Sequence, residues 1–182
     1  GVHNILNATA SICVSMLLQL PIIRVKNSLK NFQGVKRRFT FLGKIKKASI
    51  YDDYAHHPTE IQSTIKVAKN IAKNKIIIVF QPHRYSRTKH LYSDFVNVLK
   101  EADYLFISDI YSANEKPLKG IRSSKLVKDI LNQGAKNVYY LKKFTNLNKK
   151  LSIFYEKENL IIFMGAGSIS QWANDLVEKE RV

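Results

Sequence analysis

The sequence predicts an α/β fold, a mostly parallel sheet with helices on both faces, preceded by a helical tail. Two observations carry that prediction. From Ala48 onward, short apolar runs alternate with segments of helical period, joined by only a few residues. That rhythm is the pattern of parallel strands linked by crossover helices. The run KIIIVF (75–80) is also almost wholly apolar, as a strand covered on both faces requires. With 182 residues, 45% of them hydrophobic, the chain has material for one cored domain, or one domain plus a fragment.

In chain order, GVHNILNATASICVSMLLQL reads as a helix through Ile5, Ala8, Ile12, Met16 and Leu20, ended by Pro21. Its most apolar part, Ala10 to Ile23, is interrupted by Ser15, Gln19 and Pro21 and is too short to span a bilayer. It therefore reads as a buried helix enclosing Cys13 as an inert thiol. RVKNSLKNF is a second short helix, and the composition shifts near Gly34, which sets domain boundaries at 1–34 and 35–182. Arg38 to Leu42 can be extended. ASIYDD is a strand, and HPTEIQSTIKVAKNIAK is a helix with Pro58 in its first turn and Glu60 near the positive end of its dipole. KIIIVF is followed by one helix, RTKHLYSDFVNVLKEA. DYLFISDI is a strand, SSKLVKDILNQG a helix closed by Gly134, and KNVYYL a strand. FTNLNKKLSIFYEKE is a helix, NLIIFMG a strand and SISQWANDLVEKE the last helix.

Charge and cysteine content narrow the class. One cysteine excludes a disulfide framework and suits a reducing cytoplasm. No Met stands at position 1, no signal or targeting tract is visible, and no membrane partner is expected. The net charge of +16 invites a basic nucleic-acid-binding α/β domain as a competing class. The lysines are dispersed along helices and turns, however, which is the pattern of a solvated surface and not of a specific nucleic-acid site. No exposed apolar stripe stands out, so the oligomeric state stays open.

In open parallel sheets, ligands bind outside the carboxyl ends of the strands. Here those ends carry DDYAHHP, QPHRYSRT, DIYSANEKP and MGAGS, so every chemically dense stretch falls at one edge. Asp52 and Asp53 could hold a cation or accept from a ribose hydroxyl, but two adjacent Asp do not make a metal site, and HH is not a zinc signature. Tyr54 and His56 share one side of an extended segment. Histidine can accept a proton from an attacking amine, while a capping role for His56 or His57 is an equal alternative. Arg84 and Arg87, three apart at a helix opening, suit a carboxylate or phosphate, or else pair with nearby acids on the surface. Gly165 and Gly167 mark close backbone approach, with free N–H groups before the last helix for an anion. Asn4 and Asn7, one turn apart, could read an adenine edge or act as a cap and a helix-facing amide. Asp109, Tyr111 and Glu115 share the same edge without an assignable role.

Taken in order, GVHNILNA, GVKRRF, DDYAHHPTEI, VFQPHRYSRT, DIYSANEKPLKG and MGAGSIS resemble the Mur ligase family, from the first residues to the last helix. The resemblance implies that residues 1–34 are the end of the ATP-binding central domain and 35–182 the Rossmann-like C-terminal domain that brings the amino acid. No GKT phosphate-binding loop is present in this chain, so it looks like part of a larger ligase, inactive alone. The implied reaction joins L-alanine to UDP-N-acetylmuramate through an acyl phosphate in peptidoglycan synthesis, using ATP and Mg²⁺ held mainly by upstream domains. A related ligase adding a preformed tripeptide to the same sugar is the nearest alternative. By position, Asn4 and Asn7 with His3 would contact adenine, Arg38 would sit over the phosphates, and Asp53 would hold the nucleotide against the closing domain. Tyr54, His56, Arg84 and Arg87 would surround L-alanine, joined by Ser168 and Ile169, with His56 near the amine.

Overall fold

The computed structural model describes residues 2–32, 34–142 and 146–180, the side chains of Val2 and His3 excepted. The chain divides into two compact units, residues 1–35 and 36–182. The first holds α1 (Val2–Leu17) and α2 (Ile22–Lys30), separated at Pro21, which stands as N-cap of α2 with φ −58°. Its apolar residues are not the buried set the sequence suggests. Ile5, Leu6, Val14, Met16 and Leu17 are exposed, as is Cys13, and among the described residues of this unit Val25 alone is buried. Two helices offer each other one side and have no second layer within the unit, so the remaining apolar surface faces outward. The expectation of no exposed apolar stripe fails for the same reason. No helix of the described residues is long and apolar enough to cross a membrane.

The second unit is built on one sheet. Its strands are β1 (Thr40–Ile45), β2 (Ala48–Asp53), β3 (Ile76–Phe80), β4 (Tyr104–Ser108), β5 (Val138–Leu141) and β6 (Leu160–Met164), in the order β1-β2-β6-β3-β4-β5. β1 runs antiparallel to β2, and every other pairing is parallel. Alternation along the strands divides the core in two. Ile76, Ile78 and Phe80 face α3 (Pro58–Ile71), α5 (Tyr92–Leu99) and α6 (Ser123–Asn132), through Ile61, Ile65, Phe95, Leu99, Leu126 and Ile130. Ile77 and Val79 face α7 (Leu147–Leu151) and α8 (Ile169–Lys179), through Leu151, Ile169, Ala173 and Leu176. Full burial of β3 and β6 on both faces explains their unbroken apolar runs.

Two expected helices differ. The segment after β3 is broken into α4 (Tyr85–His90) and α5, because Leu91 leaves helical geometry (φ −110°, ψ 25°) and packs against the first core face. The expected helix over 144–158 is described from Leu147 to Leu151, then tightens into a 3₁₀ turn over Ser152–Phe154 that buries Phe154. The loop after β6 is fixed by close packing. Gly165 has φ +149°, and a Cβ there would stand 2.7 Å from the backbone oxygen of Gln81. Gly120, by contrast, has φ +81° in open space.

Gly165→Ala is therefore expected to destabilise the fold by about 1–3 kcal/mol, through backbone strain plus overpacking. Gly120→Ala should cost only about 1–2 kcal/mol, from its left-handed conformation alone. Urea unfolding of the two variants checks the order, and equal midpoints would contradict it.

Candidate functional site

Parallel pairing brings the segments after β2, β6, β3 and β4 to one edge. The convergence is visible as a row of rings. Tyr54 and His56 meet edge to face with centroids 5.1 Å apart, His56 and His83 lie at 5.9 Å, and His83 stacks on Tyr111 at 5.5 Å and 11°. His83 and Tyr111 are also joined as an isolated parallel bridge, so the row continues the sheet beyond β3 and β4.

The adjacent histidines divide their tasks. His57 is the N-cap of α3, its Nδ1 accepting from the Thr59 N–H at 3.4 Å. Glu60 closes the capping box, its Oε2 accepting from the N–H groups of His56 and His57 at 3.1 and 3.2 Å. His56 points into the ring row. Its Nδ1 lies 2.9 Å from the carbonyl oxygen of Tyr54. A carbonyl can only accept, so Nδ1 carries the hydrogen and the neutral ring keeps its lone pair on Nε2. Glu60 Oε2 is 3.5 Å from the same Nδ1, and its Oε1 is 3.6 Å from Arg38. Burial pushes the Glu60 carboxyl up, but the His56 N–H, the His56 ring, the His57 N–H and Arg38 outweigh it and hold the group below its usual range.

Of the paired arginines, Arg84 is the N-cap of α4 with φ +71° and an exposed side chain. Arg87 is half-buried, and its Nη1 lies 3.1 Å from His83 Nδ1. Guanidinium can only donate, so His83 accepts there and, when neutral, carries its proton on Nε2. Arg38 lies over the Tyr54 ring at 5.7 Å, and Arg37 lies closer, at 4.8 Å. The sequence reading passed over Arg37, although it ties the edge together. Its Nη2 donates to Gly165 O at 2.6 Å, and its Nε stands 3.4 Å from Asp52. The motif GVKRRF shows two arginines without saying which one turns inward.

Several of the expected residues also brace the surrounding backbone. Asp53 is buried, its oxygens accepting from Phe39 N at 2.8 Å and Ala55 N at 2.7 Å. Burial pushes its carboxyl up, against the pull of those N–H groups, the Thr64 hydroxyl and Arg38. Asp53 thus fixes the turn that carries Arg37 and Arg38, where Arg37 and Phe39 both hold positive φ. Asp52 is also buried and accepts from Ser170 at 2.6 Å. Among the described residues no group of three or more His, Cys, Asp or Glu could hold a metal ion. Ile169 is fully buried in the core. Its N–H donates to Gln81 Oε1 at 3.1 Å, and Gln81 Nε2 donates to Ser168 at 3.2 Å. Gln81 therefore occupies an N–H that the sequence left free for an anion; a buried amide directly after an apolar strand was the available signal. Asn4 and Asn7 are exposed on α1, in the first unit. The side chain of His3 lies outside the described residues.

Burial, then Arg87, His56 and Arg84, lower the His83 pKa below its ordinary 6.5, with Glu115 opposing. The ring is thus expected to titrate below 6.5 by NMR, and Arg87→Met to raise the midpoint. The unfolded chain binds this proton first as pH falls. Stability from this group is thus present above the unfolded midpoint and lost as pH drops toward the folded one. A midpoint at or above 6.5 contradicts the geometry.

The family model described as Mur ligase, glutamate ligase domain, matches residues 37–167, from Arg37 through the glycine loop after β6. The chain is 46% identical over 187 residues to a UDP-N-acetylmuramate–L-alanine ligase of Rickettsia canadensis (strain McKiel), covering 98% of this chain and 38% of that relative. Among solved structures, a UDP-N-acetylmuramate-alanine ligase from Thermotoga maritima superposes with a TM-score of 0.76 at 29% identity, over 100% of this chain and 38% of the other. A murein peptide ligase from Psychrobacter arcticus, at 20% identity and a TM-score of 0.73, shares the fold. The chain thus spans less than two fifths of the length of these relatives. The matched residues contain the whole ring row, both arginine pairs and the loop that Arg37 grips: the chain belongs to the Mur ligase family.

Proposed function

We propose that this chain is the amino-acid-binding part of an ATP-dependent ligase that joins L-alanine to UDP-N-acetylmuramate in the cytoplasm. The observation that carries the reading is that His83, bonded to Arg87 and next in the chain to Arg84, lies beside a His56 ring whose Nδ1 is bound to the Tyr54 carbonyl. The two guanidiniums supply a seat for the substrate carboxylate. The Nε2 lone pair of His56 supplies a base for the substrate amine. Identity to a ligase with that printed name over almost the whole chain supports the choice of substrates.

On this reading L-alanine lies along the ring row, its carboxylate toward Arg84 and Arg87 and its amine toward His56. ATP supplies the phosphoryl group that turns the lactyl carboxylate of the sugar into an acyl phosphate. His56 Nε2 takes a proton as the amine nitrogen bonds to the acyl carbon, and the C–O bond to phosphate then breaks. Arg38, on the exposed turn held by Asp53, offers its charge to the phosphate oxygens. Asp53 serves the nucleotide through that turn, since its own oxygens are taken. Asn4 and Asn7 contact adenine, and the exposed apolar side of α1 is where the rest of the ATP-binding domain packs. Ser168 contributes from beside Gln81. Among the described residues, Lys46, Lys69, Lys73, Lys75 and Lys125 each pair with a carboxylate.

Joining this chain to the upstream part of the Rickettsia canadensis relative makes the test possible. ADP release is followed with UDP-N-acetylmuramate and either L-alanine, glycine, L-serine or a tripeptide. Turnover is expected to require L-alanine. Arg84→Ala should raise the KM for L-alanine about 10- to 100-fold, the worth of a charged hydrogen bond. His56→Gln should instead lower kcat by about 10²- to 10⁴-fold, as loss of a general base does. Turnover driven by the tripeptide alone moves the assignment to the peptide-joining relative, and no response to any amino acid refutes the substrate.

A further inference from the structure

Glu115 has no part in the chemistry above, yet it faces the amino-acid side of the edge. It closes the segment Tyr111–Glu115 after β4, where Ala113 and Asn114 take φ +47° and +68° and the Glu115 N–H donates to Ser112 O at 3.0 Å. From there its carboxylate reaches the opening of α4. Oε2 accepts from the Ser86 N–H at 2.9 Å, and Oε1 accepts from the Ser86 hydroxyl at 2.6 Å. Arg84 Nη1 stands 3.9 Å from the same Oε1.

Arg84 needs such a brace. It is a non-glycine residue at φ +71° and ψ 137°, outside the ordinary helical and extended regions. Its N–H donates to Tyr111 O at 2.8 Å, and its own carbonyl accepts from the Thr88 hydroxyl at 2.8 Å. The segment after β4 thus holds Arg84 twice, by backbone at Tyr111 and by side chain at Glu115. The 3.9 Å separation is too long for a close bidentate pair, so Glu115 orients the guanidinium without consuming its donors.

We infer that Glu115 is a positioning residue for the amino-acid site, fixing the turn into α4 through Ser86 and aiming Arg84 at the substrate carboxylate. This rests on the amino-acid reading proposed above. The Ser86 hydroxyl and N–H, followed by Arg84, hold the Glu115 carboxyl below its usual range despite opposing desolvation, so it stays ionised at neutral pH.

The sign of one substitution separates aiming from simple electrostatics. A carboxylate beside Arg84 repels a substrate carboxylate, so if charge alone matters, Glu115→Gln tightens binding. If Glu115 aims Arg84, the same change weakens it. The test titrates L-alanine into the 182-residue chain and follows the Arg84 and Arg87 Nε–H signals by NMR, with thermal midpoints recorded for each variant. Expected are an L-alanine Kd raised about tenfold in Glu115→Gln, an Arg84 signal altered before ligand is added while that of Arg87 stays, and a midpoint moved little. Ser86→Ala, which loses one of the two donors, should weaken binding by a smaller factor and carries the test if Glu115→Gln does not fold. Unchanged or tighter binding in the folded variant overturns the inference. A wild-type chain in which neither arginine responds to L-alanine overturns instead the reading on which it rests.

Discussion

A parallel sheet has one carboxyl edge, and parallel pairing of β2, β6, β3 and β4 leaves their exits no other place to go. Everything else about the site depends on that constraint. Residues separated by tens of positions, His56, His83 and Tyr111, become ring neighbours because β3 and β4 are adjacent and β2 lies one strand away, across β6. The buried apolar faces of β3 and β6 hold the strands in register, so the core sets the spacing of the rings. A one-residue slip of β3 would turn Gln81 away from the α8 N-terminus and move His83 off Tyr111.

The edge is also where the backbone is least relaxed. Arg37, Phe39 and Arg84, none of them glycine, hold positive φ, and each of the three has a partner that fixes it. Asp53 accepts from Phe39, Gly165 accepts from the Arg37 guanidinium, and Tyr111 accepts from Arg84. Such conformations cost on the order of 1–3 kcal/mol each and persist where surroundings over-determine them. Four buried or half-buried polar side chains, Asp52, Asp53, Gln81 and Glu115, spend their hydrogen bonds on this framework. Of the groups proposed to meet a ligand, Arg38 and Arg84 are exposed, while the His56 ring is half-buried. Rigid support beneath exposed functional groups is what a site that must orient two reactants requires.

Much of this was legible in the sequence. The alternation of apolar runs with helical segments gave the sheet, and the placement of DDYAHHP, QPHRYSRT and MGAGS at strand ends gave the edge. The start of α3 was legible too, since Pro58 and Glu60 stand where a helix start needs them. Side-chain direction was not. Nothing local distinguishes Asp52, facing Ser170, from Asp53, facing the Arg37 turn, or His56 from His57, until the strand end and helix start are placed. The break at Leu91 has no glycine or proline to announce it, because tertiary packing of Leu91 sets it. The apolar run of α1 predicted burial, yet pattern alone cannot say whether a second layer is present to bury it. Gln81 and Glu115 act on segments that meet only through the fold, so no spacing rule could pair them with Ser168 or Ser86.

The central claim is that L-alanine lies along the ring row at the carboxyl edge. Isotope-filtered NOE spectra of methyl-¹³C L-alanine with the 182-residue chain test it most directly. The account predicts contacts from the alanine methyl to the rings of Tyr54, His56, His83 or Tyr111. A groove of ≈ 640 Å³ lined by Lys44, Lys46, Lys47, Lys73 and Lys157 lies at the amino ends of the strands and serves as the control surface. Methyl contacts there, or anywhere away from the ring row, would contradict the account.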